Sequence, residues 1–217
     1  MKMTNFIAPS ENPHKKLILA SQSPRRSSLL SQLGFQFTIQ VSNIDETAEK
    51  FESAQEYVLR LAKQKALHVF NLLTSDEKAH SFVLGSDTSV VFDGKILGKP
   101  ENEKDCIKTL SLLSNNQHQV LTAIALAGND GVKGDVITTQ VTFKTLTKEE
   151  ISAYWLTGEP QDKAGSYGIQ GIAGQFVKTI NGSYSAVVGL PLYETAKLLT
   201  NAGFIGAIDA NVVGENG

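Results

Sequence analysis

The stretch KLILASQSPRRSSLL (Lys16–Leu30) constrains the fold more than any other in the chain. Leu17, Ile18 and Leu19 form a short apolar run of buried-strand type. Ser21, Gln22 and Ser23 are small and polar and make the loop that follows. Ser23 suits the N-cap and Pro24 the first helical turn. Leu29, Leu30 and Leu33 share one helical face, and Gly34 is placed to end the helix. A helix N-terminus carries unpaired N–H groups and the positive end of the dipole. Ser21 and Ser23 add donors there, and Arg25 and Arg26 add two fixed charges. That combination suits a multiply charged phosphate. Composition alone also permits a capped helix with a solvated arginine pair. Against that reading, arginine in a first turn faces the positive dipole end and calls for a nearby anion.

With 217 residues, 41% hydrophobic, the chain can bury a substantial core as one large α/β domain or two lobes. A net charge of −2 supplies no global basic field, which argues against bulk nucleic-acid binding. An anionic ligand must then be met by local basic groups. Cys106 is the only cysteine, so neither an intrachain disulfide nor a cysteine metal cluster can form. The N-terminal segment has no signal-type apolar core, and no run of about eighteen apolar residues occurs. A cytoplasmic protein without a membrane span is expected, with a loose arm over 1–15 and a tail over 204–217.

Further along, Phe35–Val41 alternates as a second strand and leads to the acidic loop of Asp45 and Glu46. Glu46 alone reads as a solvated carboxylate. Ser53 and Glu56 fit a capping box, and the helix they open runs to about Leu73. Lys65 follows Leu61 by four and Val58 by seven, so it falls on the apolar stripe. A lysine there either snorkels or reaches into a cleft. Residues 75–81 read as a polar connector. Helices are expected over 102–114 and 147–157, the second with Thr147 and Glu150 as a capping box. Strands are expected over 120–127 and 136–143, joined by a glycine-rich turn. His118, with no His, Cys or Asp at ligand spacing, reads as structural. Residues 158–191 are glycine-rich, with strand-like runs at 175–180 and 186–188, and Pro191 opens the last helix.

Asp87 is the strongest single functional candidate. Phe82-Val83-Leu84-Gly85 and Val90-Val91-Phe92 read as strand on either side of it, and Asp93-Gly94 is a hairpin turn. An aspartate within an apolar strand is costly unless it is paired or bound to metal. A satisfied structural carboxylate is the competing reading.

SQSPRRSSLL, IDE, RLAKQKA, GSDTSVVFDGKILGKP, HQVLT, DKAGSYGIQG and GSYSAVVGLP occur in one order. Together, from about Lys16 to Gly203, they resemble the Maf family of nucleoside triphosphate pyrophosphatases. Tyr167, Ile169 and Gln170-Gly171 resemble the branch that prefers dTTP and UTP. The resemblance implies an α/β fold with a mixed, strongly curved sheet and two lobes around a nucleotide cleft, usually in a homodimer. It implies one two-lobed domain over 16–203. It implies that Ser21, Ser23, Arg25 and Arg26 hold the triphosphate, and that Lys65 and Lys99 contact phosphate. Glu46 and Asp87 would hold a divalent cation (Mg²⁺, Mn²⁺ or Co²⁺), with Asp87 also the proton acceptor. Arg25, Thr88 and Gln170 match the specificity positions. Ser86 stands where the family often has alanine, and Asn115-Asn116 where it has glycine. Rival readings are a non-catalytic nucleotide-binding regulator of septum formation, a purine-directed pyrophosphatase, and a phosphatase releasing inorganic phosphate.

Overall fold

The computed structural model describes residues 15–208. The expected arm and tail lie outside the described residues, apart from Lys15 and 204–208. The chain begins with β1 (Lys16–Leu19), α1 (Pro24–Gln32), β2 (Thr38–Ile39), α2 (Ala54–Leu72) and α3 (Ser75–Lys78). It continues through β3 (Ser81–Phe92), β4 (Lys95–Leu97), α4 (Glu103–Leu113), β5 (Gln117–Gly128) and β6 (Gly131–Phe143). Then come α5 (Lys148–Leu156), three 3₁₀ turns between Glu159 and Phe176, β7 (Val177–Asn181), α6 (Tyr184–Val188) and α7 (Leu192–Asn201).

The sheet is mixed and open, in the order β2-β1-β3-β5-β6-β7, with β4 also on β3. β1 runs parallel to β2 and β3; the other pairs are antiparallel. β5 lines one edge of β3 from Val83 to Val91. On the opposite edge β1 pairs with Ser81–Leu84 and β4 with Val90–Phe92. Among the described residues, Gly85–Ser89 has no strand partner on that edge. Asp87 stands in the middle of the gap, close to where the parallel strand β1 ends and feeds the N-terminus of α1. Crevices at the carboxyl ends of parallel strands, where neighbours diverge, are where open α/β sheets bind ligands.

Alternation along β3 decides what each side chain meets. Val83 and Val91 pack with α2, in a cluster that includes Val58, Ala62, Ala66 and Val69. On the other face Phe82 and Leu84 join α1 and α7, while Val90 joins α4 and α5. β5 repeats this division, with Ile124 and Leu126 beside α7 and Val120 beside α4. Between the two apolar clusters, this face carries Ser86, Thr88 and Thr122, all at polar positions of the two strands. Helix α2 approaches the opposite face so closely that a Cβ at Gly85 would lie 2.2 Å from the Ala62 carbonyl oxygen. Glycine is required there for room, and the close approach brings Lys65 to Asp87. Among the described residues, no helix is long and apolar enough to cross a membrane.

Most expected elements are present, and the differences have local causes. Both expected capping boxes form, at Ser53/Glu56 and Thr147/Glu150. A third, Thr74/Glu77, turns the expected connector at 75–81 into α3. Ser23 occupies the N-cap of α1 but its side chain makes no cap bond. The expected strand 35–41 is reduced to Thr38–Ile39, because only those residues register against β1. The strand-like run 186–188 is helical: Ser183 caps α6 through the Ala186 N–H, and Gly189, at φ 131°, ends it. Asn115 takes φ 56°, so asparagine fills a left-handed position that glycine would fill more easily. Phe204, expected in the tail, is buried against Phe82 in an edge-to-face contact of 5.4 Å.

Substituting Gly85→Ala should force α2 away from β3. The expected result is a loss of about 3 kcal/mol in urea unfolding at unchanged denaturant slope, the upper range for overpacking. A midpoint equal to that of the wild type would show that the helix can yield without cost.

Candidate active site

The ammonium of Lys65 is 2.7 Å from Asp87 Oδ1 and 2.7 Å from Glu46 Oε1. Asp87 is 7% exposed and Lys65 9%, whereas Glu46 reaches in from an exposed loop. That loop is moored to the helix that carries Lys65. The Tyr57 hydroxyl donates to the Glu46 carbonyl at 2.9 Å, and Arg60 donates to both Glu52 oxygens and to the Thr47 carbonyl. Burial pushes the Asp87 carboxyl above its ordinary range, while Lys65 and then Arg26 oppose it. A carboxylate raised by burial and held by a specific cation is a frequent mark of a functional site.

Arg26 is held in place by the protein. Its Nε donates to the Gly189 carbonyl at 3.0 Å, and its two terminal nitrogens donate to Ser21 Oγ and Thr88 Oγ1, each at 3.3 Å. Ser86 donates to the same Gly189 oxygen at 3.2 Å. Thr122 spends its one hydroxyl proton on the Ala186 carbonyl at 2.7 Å, so Thr88, 3.1 Å away, must donate to Thr122. The hydrogen bonds therefore run in one direction, from Arg26 through Thr88 and Thr122 to α6. Ser21 Oγ also accepts from the Ser23 N–H at 3.2 Å, which shapes the loop before α1. Burial lowers the Arg26 guanidinium pKa despite the nearby Asp87 charge, and Arg25 adds repulsion. The anion that the first-turn arginines call for is met in part by Asp87 and, for Arg25, by Asp162 at 3.9 Å.

Ser21, Ser23, Arg25, Arg26, Glu46, Lys65, Asp87, Thr88, Lys99 and Gln170 all line one cavity of about 980 Å³. Lys99 and Gln170 are exposed at its wall. Lys65 bridges the two carboxylates as well as facing the cavity, and the Thr88 hydroxyl is engaged by Arg26 and Thr122. His118 is structural as expected: its Nε2 is 2.8 Å from the Tyr167 hydroxyl, and burial holds its pKa down to about 4. The sequence reading did not single out Tyr57, Glu159, Asp162 or Lys163, which also line the cavity. Glu159 follows Gly158 at the end of a helix, a position at which a carboxylate is ordinary.

The donor set suits a hard divalent cation. Glu46 Oε1 and Asp87 Oδ1 converge on the Lys65 ammonium, so a cation held by these two carboxylates would use their other oxygens or displace that ammonium; carboxylate oxygens are the ligands Mg²⁺ prefers. Among the described residues, no group of three or more His, Cys, Asp and Glu could hold a metal ion. Two carboxylates would leave the remaining positions to water and phosphate, the usual arrangement for Mg²⁺ at a nucleotide.

The model of the Maf-like protein family matches residues 16–202. A dTTP/UTP pyrophosphatase of Colwellia psychrerythraea is 76% identical over 206 residues, covering 95% of this chain and 97% of that protein. A dTTP/UTP pyrophosphatase of Vibrio vulnificus is 53% identical, over 85% of this chain and 97% of its own length. Among solved structures, the Ham1 protein of Staphylococcus aureus is similar at a TM-score of 0.40 and 15% identity, covering 59% of this chain and 72% of that one.

Replacing Lys65 with Met should destabilise the protein in a pH-dependent way. An acid whose folded pKa is raised loses stability as pH rises through that value. Removing Lys65 raises the Asp87 value further, so the deficit is greatest at alkaline pH and shrinks as pH falls. Urea unfolding with chelator present should show a loss of about 3 kcal/mol at pH 8, the scale for a broken buried pair, and less at pH 5. A deficit that does not change with pH would mean that Lys65 does not hold Asp87 ionised.

Proposed function

The chain belongs to the Maf-like protein family, and on that premise we propose that it hydrolyses dTTP and UTP to the monophosphate and pyrophosphate. The observation that carries this reading is the buried Asp87 carboxylate beside Lys65, in the same cavity as the arginine-bearing loop. The relatives named above, one of them identical at 76% of positions, support the substrate.

The reaction forms a bond between a water oxygen and the α-phosphorus. It breaks the bond from that phosphorus to the oxygen bridging to the β-phosphate, and pyrophosphate leaves with the electron pair. Asp87 orients the water and accepts its proton; a carboxyl raised by burial is a stronger base than an exposed one. Lys65 keeps Asp87 charged in the resting state. Arg25, Arg26 and Lys99 offset the charge that grows on the leaving pyrophosphate, and Ser21 and Ser23 donate to phosphate oxygens. Held by Glu46 and Asp87, a divalent cation would supply Lewis acidity that reduces repulsion between phosphate oxygens and water. Arg26 is already bound on three sides, so little reorganisation is needed when phosphate arrives. Gln170 offers a donor and an acceptor to a uracil or thymine edge. Thr88, engaged by Arg26, bears on specificity through that arginine. In this reading residues 16–203 are one domain whose lobes are the two apolar clusters flanking Ser86, Thr88 and Thr122.

Incubation with dTTP or UTP and Mn²⁺ in ¹⁸O-water should release pyrophosphate and put the label in the monophosphate. Label in pyrophosphate, or release of inorganic phosphate, would contradict the α-phosphorus as the point of attack. Asp87→Asn preserves size but removes the base, and turnover should fall at least about a hundredfold. Near-normal turnover by that variant would refute the role of Asp87.

A further inference from the structure

We infer that Glu159 is a positioning residue for base selection: its carboxylate seats the loop Gly168–Ala173, which carries Gln170. The inference rests on the proposed pyrimidine nucleotide activity and adds to it a determinant outside the residues expected to touch substrate.

Both oxygens of Glu159 are engaged. Oε2 accepts from the Ile172 N–H at 2.8 Å; Oε1 accepts from the Ala173 N–H at 3.2 Å and from the Tyr154 hydroxyl at 2.8 Å. The Tyr154 oxygen in turn accepts from the Gly168 N–H at 3.3 Å. One carboxylate and one phenol thus tie down both ends of the segment, and Gln170 lies between the ties. The loop closes on itself through the Gly171 N–H, which donates to the Gly168 carbonyl at 3.0 Å. The preceding residue, Tyr167, is anchored separately by His118 at 2.8 Å.

Gly171 supplies an independent observation. Its φ of −103° is not in the left-handed region, so no positive φ calls for glycine there. A Cβ at this position would lie 2.3 Å from Glu159 Oε2 and 2.4 Å from its carboxyl carbon. The carboxylate occupies the space that a side chain at 171 would need. Glycine at 171 and glutamate at 159 are two halves of one seat.

A carboxylate is suited to this place because all three of its partners donate. A glutamine would turn one NH₂ toward a donor and leave at least one backbone N–H unmet. Burial opposes the charge on Glu159, but the N–H of Ile172, the Tyr154 hydroxyl and the N–H of Ala173 outweigh it and hold its carboxyl below the usual range. Burial pushes the Tyr154 phenol up, so it stays a neutral donor. The seat therefore persists throughout the neutral range.

Steady-state hydrolysis of dTTP, UTP, CTP and ITP by wild type and Glu159→Gln tests the inference. For dTTP, we expect KM to rise about tenfold with kcat within about threefold, and the dTTP-to-ITP ratio of kcat/KM to fall about tenfold, the scale of one lost orienting hydrogen bond. Amide hydrogen exchange should accelerate in peptides covering Gly168–Gly174 and not in β5. Gly171→Ala, which displaces the carboxylate, should shift the ratio in the same direction. Tyr154→Phe keeps the ring in the core, and should lower the ratio by less; it carries the test if Glu159→Gln does not fold. An unchanged nucleotide ratio in folded variants, or a fall in kcat shared equally by all nucleotides, overturns the inference while leaving the activity intact. A wild type that turns over no nucleotide overturns the activity reading itself.

Discussion

A carboxylate in the middle of a β-strand must be compensated, and the contact between Lys65 and Asp87 is where this protein does so. Removing two charges from water costs several kcal/mol per ion, and mutual attraction restores that only with good geometry. Here the geometry depends on the close approach of α2 to β3, which depends on Gly85 having no side chain. The same helix, through Tyr57 and Arg60, moors the loop that brings Glu46 to the other side of the ammonium. Two acids and one base are thus gathered by one helix–strand contact. The gap in pairing along β3 leaves this group open to the cavity instead of sealed in the core.

On the opposite face of the sheet the same strand solves a second problem. Arg26 is stripped of part of its water and surrounded by oxygen acceptors: Ser21, Thr88 and the Gly189 carbonyl. Ser86 adds a donor to that carbonyl. That hydroxyl ties the end of α6 to β3 from beneath. The glycine-rich stretch meets the arginine through backbone, which is why so few of its side chains signal a role.

What could be read in the chain, and what could not, follows from the range of each interaction. Asp87 stood out because a charge interrupts an apolar run, and Lys65 because it breaks a helical stripe. The capping boxes at Ser53 and Thr147 are contained within four residues, and both formed. Ala186, Val187 and Val188 favour extension by residue type, yet the Ser183 cap and the burial of Ala186 and Val188 make this segment the helix α6. Glu159 carried no signal, since the N–H groups of Ile172 and Ala173 that it accepts from are backbone and are reached only through space. The engagement of Thr88 by Arg26, 62 residues away in the chain, was hidden for the same reason.

The β5–β6 hairpin has a mechanical meaning. Its strands, 12 and 13 residues long, pair without interruption from Gln117 to Gly128 and span both apolar clusters. β3 is bonded to that hairpin along Val83–Val91, including the stretch that is open on its other side. A continuous ladder behind the crevice acts as a stiff spine, so the separation of the two walls is set before any ligand enters. Rigid-body closure of one half on the other would have to shear that ladder. Adjustment to a ligand is left to exposed side chains at the mouth, such as Lys99 and Gln170, while the floor and the moored loops hold still.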